Sequence, residues 1–260
     1  MKIALASTWN PRGELPRIER LSPQLNALYA CLVVVVPPDT DTALVARLAG
    51  VTGVEAVVAD DWTLARHHAV RHALREDVGA VHACDLDRLL HWLEVAPAEL
   101  NDVLAQAGQD ACLVLGRTEQ AWATHPRCMI ETEVIFNRVF SHLLGSDALI
   151  DFGAGSKLFS RAAAEFVLRH TPESWGWAID AAWPLMLHRA GWPVAYRAVD
   201  GLAWETPDQF QPTVAGEDVR RELAAAWDAD AGRWDQRVWV AREITRVGLE
   251  AARAWPVGGA

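Results

Sequence analysis

The chain has four cysteines, at 31, 84, 112 and 128, and no two of them form a CxxC pair. This excludes a thiolate zinc site of the usual spacing and a disulfide scaffold, and Cys31, Cys84 and Cys112 fall in apolar runs, so the cysteines read as reduced core thiols. A basic surplus is also lacking. Lys and Arg total 24 against 34 Asp and Glu, a net charge of −10, which argues against a polyphosphate partner such as nucleic acid. No apolar run reaches the ~20 residues of a spanning helix, and MKIALASTWNPRG lacks the long apolar region of a cleavable signal. A cytoplasmic protein without a transmembrane segment is expected. Internal repeats, low-complexity linkers and a Gly-x-Ser-x-Gly nucleophile elbow are all missing. Gly153-Ala154-Gly155-Ser156-Lys157 lacks the Walker spacing and the following Ser/Thr, and is expected to be a plain turn.

What is present is a chain of 260 residues, 51% hydrophobic, enough for a substantial core. Short β-rich runs at 3–7, 31–36, 54–59, 80–84 and 112–115 alternate with helix-length segments at 15–30, 42–49, 63–75 and 89–107. That alternation predicts an α/β fold with a mostly parallel sheet and helices on both faces. The second half reads as helices at 131–144, 160–170 and up to 189, with strands at 148–152 and 194–199. A helical C-terminal tail follows, with Trp234, Val238, Ile244 and Leu249 on one face, suited to packing on the domain or on a second copy. The expected division is 1–215 for the α/β domain and 216–260 for the helical extension.

In open sheets of this kind ligands sit beyond the carboxyl ends of the strands. The run Val78 to Cys84 delivers Asp85-Leu86-Asp87 to such an end. On extended backbone residues two apart project to one side, so Asp85 and Asp87 could share a divalent cation. Asp-x-Asp recurs at Asp39/Asp41 and Asp228/Asp230, so position in the pattern carries the argument. Either aspartate could instead cap the helix beginning near Arg88. Asp60 and Asp61 end another strand, and could accept the N–H of a nucleobase or cap the helix from Thr63. His82 and His91, alone in apolar segments, read as hydrogen-bonded core residues.

The order of these segments resembles the GT-A superfamily of nucleotide-sugar glycosyltransferases, particularly the branch of dolichyl-phosphate mannose synthases and bacterial polysaccharide synthases. The resemblance rests on Ser7-Thr8-Trp9-Asn10 with Glu14, on Asp60-Asp61 followed by Ala65-Arg66-His67, and on Asp85-Leu86-Asp87. It continues through Gly155-Ser156-Lys157-Leu158-Phe159-Ser160-Arg161 and Trp175-Gly176-Trp177-Ala178-Ile179-Asp180. His67 stands where the family has Asn, one acid follows Ile179 where many members have two, and GLAWETPDQF offers no metal-binding His. The resemblance implies a nucleoside diphosphate sugar donor contacted by Thr8, Asn10, Glu14, Asp60, Asp61, Arg66 and Asp85. It further implies Mg²⁺ or Mn²⁺ on Asp85 and Asp87, Asp180 as the base for an acceptor hydroxyl, and Trp175 and Trp177 flanking an unidentified acceptor. Asp180 could alternatively cap the next helix. A homo-oligomer through the C-terminal helices is a further expectation. Two other readings stay open: a sugar-phosphate nucleotidyltransferase, and a non-catalytic GT-A-like binding or scaffold protein.

Overall fold

The computed structural model describes residues 1–255. Seven strands form one sheet: β1 (Ile3–Thr8), β2 (Cys31–Val36), β3 (Val54–Val58), β4 (Ala80–Cys84), β5 (Cys112–Arg117), β6 (Ser156–Ser160) and β7 (Val194–Val199). Their order is β3-β2-β1-β4-β6-β5-β7, and every pairing is parallel except those of β6, which runs antiparallel to β4 and β5. The CLVVVV run of β2 is buried at every position, as a strand covered on both faces requires. β3 at the edge is only half-buried.

The helices are α1 (Leu15–Leu28), α2 (Thr42–Ala49), α3 (Ala65–Ala73), α4 (Leu86–Val95), α5 (Pro97–Leu104), α6 (Glu119–Trp122), α7 (Arg127–Leu143), α8 (Arg161–His170), α9 (Ala182–Arg189), α10 (Glu217–Ala229) and α11 (Ala231–Ala254). Two large apolar clusters cover opposite faces of the sheet. One gathers α3, α7, α8, α9 and α11, around Phe136, Phe159, Trp183 and Val247. The other gathers α1, α4 and α5, around Leu5, Ile18, Leu89 and Trp92. The single helix expected at 89–107 is two, because Pro97 has no N–H to continue α4 and instead opens α5.

Two expectations fail in the second half. Residues 148–152 form no strand, and the residues read as a plain turn lead straight into β6, which starts at Ser156. Side chains there do the work of a ladder. Asp151 accepts from Arg117 and Asn137, and Asn137 Oδ1 accepts the Phe152 N–H at 2.9 Å. The second concerns the buried face of the tail, where Ile244 is buried and Leu249 packs on the main core as expected, but the other two residues do not join that core. Ala241, Ile244, Val247, Gly248 and Ala251 are buried in α11, while Val238 is 55% exposed and Trp234 joins a small cluster with Trp204. Small residues let α11 approach α7 closely: a Cβ on Gly248 would lie 2.2 Å from the Phe140 ring. α11 is therefore part of the main core, while α10 buries no residue and packs only on the small cluster around Trp204. Residues 256–260 of the expected extension lie outside the described residues.

All four cysteines are free and buried. His82 is buried between Tyr29 Oη and Ser156 Oγ, and His91 bonds Asp208, so both are core histidines, as read from the sequence. No described helix is long and apolar enough to cross a membrane.

Candidate functional site

The carboxyl ends of β1 and β4 open beside the N-termini of α3 and α4. A cavity of about 230 Å³ lies there, lined by Thr8, Asn10, Arg12, Trp62, Arg66, Asp85, Asp87, Arg88, Trp177 and Glu205. Its position follows from topology, since β1 and β4 are neighbours whose chains leave in opposite directions across the sheet.

Asp85 occupies the residue before α4, yet its side chain makes no capping bond. It turns into the crevice instead. Thr8 Oγ1 donates to its Oδ1 at 2.9 Å, and Arg66 Nη2 donates to both oxygens at 3.2 and 3.0 Å. Burial disfavours the ionised form, but Arg66 and Arg88 outweigh it and hold the Asp85 carboxyl below the usual range. Asp87 is not its partner on an extended strand. The apolar spacing Leu86, Leu89, Leu90, Leu93 starts a helix at Leu86, which places Asp87 in the first turn, accepting the Arg88 N–H at 2.9 Å. Both acids nevertheless line one cavity, joined by Glu205 from the segment after β7. Burial, then Glu205 and Asp85, push the Asp87 carboxyl up to about 7.

Asp180 is buried, and cations hold both of its oxygens. Lys157 Nζ is 3.0 Å from Oδ1 and Arg66 Nη1 is 2.8 Å from Oδ2. Burial alone would raise its pKa, but these two cations push it down to about 2. Arg66 thus bridges Asp85 and Asp180. Asp180 is the reason that β6 tolerates the buried charge of Lys157, the strand's second residue.

Other expected residues are placed differently. Glu14 is buried and accepts from Trp9 Nε1 at 3.0 Å and the Arg12 N–H at 2.7 Å, so it fastens the loop that carries Asn10 and Arg12. Asp61 is exposed and caps the short turn Trp62–Leu64, accepting from Thr63 N at 2.9 Å and Thr63 Oγ1 at 2.8 Å. Asp60 beside it is exposed, and Trp62 is the residue of that loop that lines the cavity. Trp175 is buried in the core and has no face free for a ligand. Trp177 lines the cavity, its ring 5.3 Å from that of Trp239.

Sequence reasoning passed over Arg12, Trp62, Arg88 and Glu205. For Arg88 the signal was present as a cation directly after Asp-x-Asp. For Glu205 it was an acid in the stretch searched only for a histidine.

The cavity offers three carboxylates from two segments, an oxygen donor set that suits a hard cation. No group of three or more His, Cys, Asp or Glu among the described residues is arranged as a ready metal cage. Mg²⁺ or Mn²⁺ bound by one or two carboxylates plus substrate phosphates needs none.

No protein-family model and no curated protein matches the chain. Among solved structures it is similar to glucosyl-3-phosphoglycerate synthase from Mycobacterium tuberculosis, with a TM-score of 0.56 and 14% identity over 99% of this chain and 82% of that one. The same enzyme in complex with Mn²⁺, UDP-glucose and phosphoglyceric acid gives a TM-score of 0.55 and 15% identity over 99% and 81%. A mycobacterial protein gives 0.51 and 16% over 76% and 66%. The chain has the α/β fold of GT-A glycosyltransferases.

Proposed function

We propose that the chain is a glycosyltransferase that takes a sugar from a nucleoside diphosphate donor in the presence of Mg²⁺ or Mn²⁺. One observation carries this reading: Asp85, Asp87 and Glu205 share a single crevice with Arg12, Arg66 and Arg88 at the carboxyl ends of β1 and β4. Carboxylates that crowd one another beside guanidinium groups suit a ligand that brings a divalent cation and phosphates together. The motif order from Ser7 to Asp180 favours the dolichyl-phosphate mannose synthase and polysaccharide synthase branch.

Asp87 and Glu205 would hold the cation, with Asp85 adjoining; once bound, the cation would neutralise charge gathering on the departing diphosphate. Arg66 and Arg88 are the phosphate contacts, Arg66 locked in place by Asp85 and Asp180. Asn10 and Trp62 flank the donor on the side of β1 and β3. Asp180 is assigned to orienting Arg66 and Lys157. With its carboxyl near 2 and both oxygens engaged, it is far from the near-neutral value of an efficient base. Trp177 is the aromatic face offered to the sugar.

A thermal-shift panel of UDP-, GDP-, ADP- and TDP-sugars with Mn²⁺ or EDTA tests this. At ~100 times its dissociation constant a donor adds about 2.7 kcal/mol, or roughly 5–10 °C for a chain of this size. A shift that Mn²⁺ supports and EDTA removes is expected for at least one donor. A flat panel would overturn the reading and leave the scaffold alternative.

A further inference from the structure

Asp87 and Glu205 carry like charges into one crevice and repel each other, so each needs an anchor. Asp87 has one, because it belongs to the first turn of α4. Glu205 is on no helix of comparable length: it precedes the short turn Thr206–Asp208, in the irregular segment after β7. Such a segment drifts away from a like charge unless other contacts hold it.

Asp208 supplies the hold. Its Oδ2 accepts from His91 Nδ1 at 2.7 Å and from Arg17 Nη2 at 3.3 Å, and its Oδ1 accepts the Ala215 N–H at 2.8 Å. The Asp208 N–H donates to the Glu205 carbonyl at 2.9 Å and closes the turn between them. His91 comes one turn after Arg88 on α4, and Asp208 comes one turn after Glu205, so the segment runs beside the helix with two rungs in register. Arg88 Nε and Glu205 Oε1, 3.7 Å apart, form the first rung, and the shorter His91–Asp208 contact forms the second. Arg17 reaches the second rung from α1 and is also paired with Glu94, while Arg20 bonds Glu94 and the Pro212 carbonyl. Helices α1 and α4 thus grip the segment at Asp208 and again at Pro212.

This grip is costly. Arg17, His91 and Asp208 are each 1% exposed, and His91 Nε2 is buried with no partner among the described residues. Burying charges and an orphan nitrogen stabilises less than apolar packing of the same volume. What the directional bond gives instead is register, since it tolerates no slip of the segment along α4.

We propose that Arg17, His91 and Asp208 are positioning residues that set Glu205 at the cation site, holding it beside Asp87 against their mutual repulsion. The inference rests on the reading of Glu205 as a cation ligand, and it makes the metal affinity of the crevice depend on a histidine outside the cavity lining.

Asn and Gln at position 91 test it. The Asn amide nitrogen takes the place of Nδ1 and keeps the bond to Asp208, whereas the Gln amide nitrogen takes the place of Nε2 and loses it. Mn²⁺ binding to the whole chain is read from loss of the free-ion signal in electron paramagnetic resonance. His91→Gln should weaken it about tenfold and His91→Asn by less than about threefold, tenfold being the lower end of what a partner behind a metal ligand contributes. A role in packing alone would rank the two the other way, because Gln fills more of the imidazole's volume. Asp208→Asn, of unchanged shape, should follow His91→Gln, and it carries the test where a variant at 91 does not fold. Glu205→Gln should weaken Mn²⁺ as well, and in that background His91→Gln should cost nothing further, since the clamp acts only through Glu205. Val247→Ala, in the core on the opposite face of the sheet, should lower Tm without moving Mn²⁺ affinity. Equal affinities for the Asn and Gln variants, an Asp208→Asn chain that binds like the wild type, or losses that add to that of Glu205→Gln overturn the clamp and leave the cation reading standing. A wild type that binds no Mn²⁺, or a Glu205→Gln chain that binds it as tightly, overturns the cation role of Glu205 and the clamp with it.

Discussion

The two sides of the crevice treat their carboxylates in opposite ways. On the β4–β6 side, Asp85 and Asp180 alternate with Arg66 and Lys157, and each acid is held by a cation at 2.8–3.0 Å. On the α4 side, Asp87 and Glu205 face each other with Arg88 shared between them, its Nε 3.7 Å from Glu205. The first side is complete without a ligand. The second carries excess negative charge in a half-buried place, which ordinary folding would select against. Under the proposed reading that imbalance suits a positive ligand, and the balanced side holds Arg66 in place.

The largest effect should come from breaking the balanced side. Lys157→Met leaves a buried Asp180 oxygen without its cation. It is expected to cost about 3 kcal/mol, a fall of roughly 6–12 °C in Tm. Adding Asp180→Asn should return part of that loss, and a double-mutant cycle in urea measures the coupling. Single-variant losses that simply add in the double variant would mean that the pair is not a unit.

The unbalanced side should answer with the opposite sign. Asp87→Asn removes one of the crowded charges, so without divalent cation it should raise Tm at pH 8, by about 2–4 °C for each kcal/mol relieved. The same change should abolish the Mn²⁺-dependent donor shift. Asp85→Asn, by contrast, takes from Arg66 one of its two carboxylates and should lower Tm. Matching signs for Asp85 and Asp87 would remove the distinction between the two sides.

A smaller effect is the pH profile. Asp87 titrates at about 7 in the folded chain and near 3.9 unfolded. Between those values the folded state binds more protons, so stability is full below about pH 4 and declines as pH rises towards 7. Asp180, at about 2, contributes in the other direction: its stability is present above about pH 4 and is lost as pH falls through 2. Cation-free urea melts from pH 5 to 8 should therefore slope downwards in the wild type and flatten in Asp87→Asn.

The sheet's first five strands and α2 were legible because their apolar runs report burial on both faces or on one. Less was legible wherever a polar group is buried against a distant partner. SKLFS hides β6 because Lys157 satisfies itself on Asp180, more than twenty residues later. Residues 148–152 look like a strand, but they spend their polar groups on Arg117 and Asn137. At the site, Asp85 and Asp87 were visible as a pair while their split across a helix start was not, although the leucine spacing that causes it stands in the sequence. Glu205, Arg12 and Trp62 lie on three separate loops, and only the fold brings them together.

The smallest effect concerns a carboxylate belonging to neither side. Asp61 is exposed, and both of its hydrogen bonds run to Thr63. Those bonds, with a smaller contribution from His68, hold the Asp61 carboxyl below its ordinary value, with no cavity group involved. Serine caps a turn in the same way, so Asp61→Ser should leave Tm and the affinity for whichever donor responds within about twofold of the wild type, whereas loss of a charged hydrogen bond to a nucleobase would cost about tenfold. If affinity falls tenfold with Tm unchanged, Asp61 leaves its cap to read the base, and the donor cavity extends past Trp62 to the edge of β3.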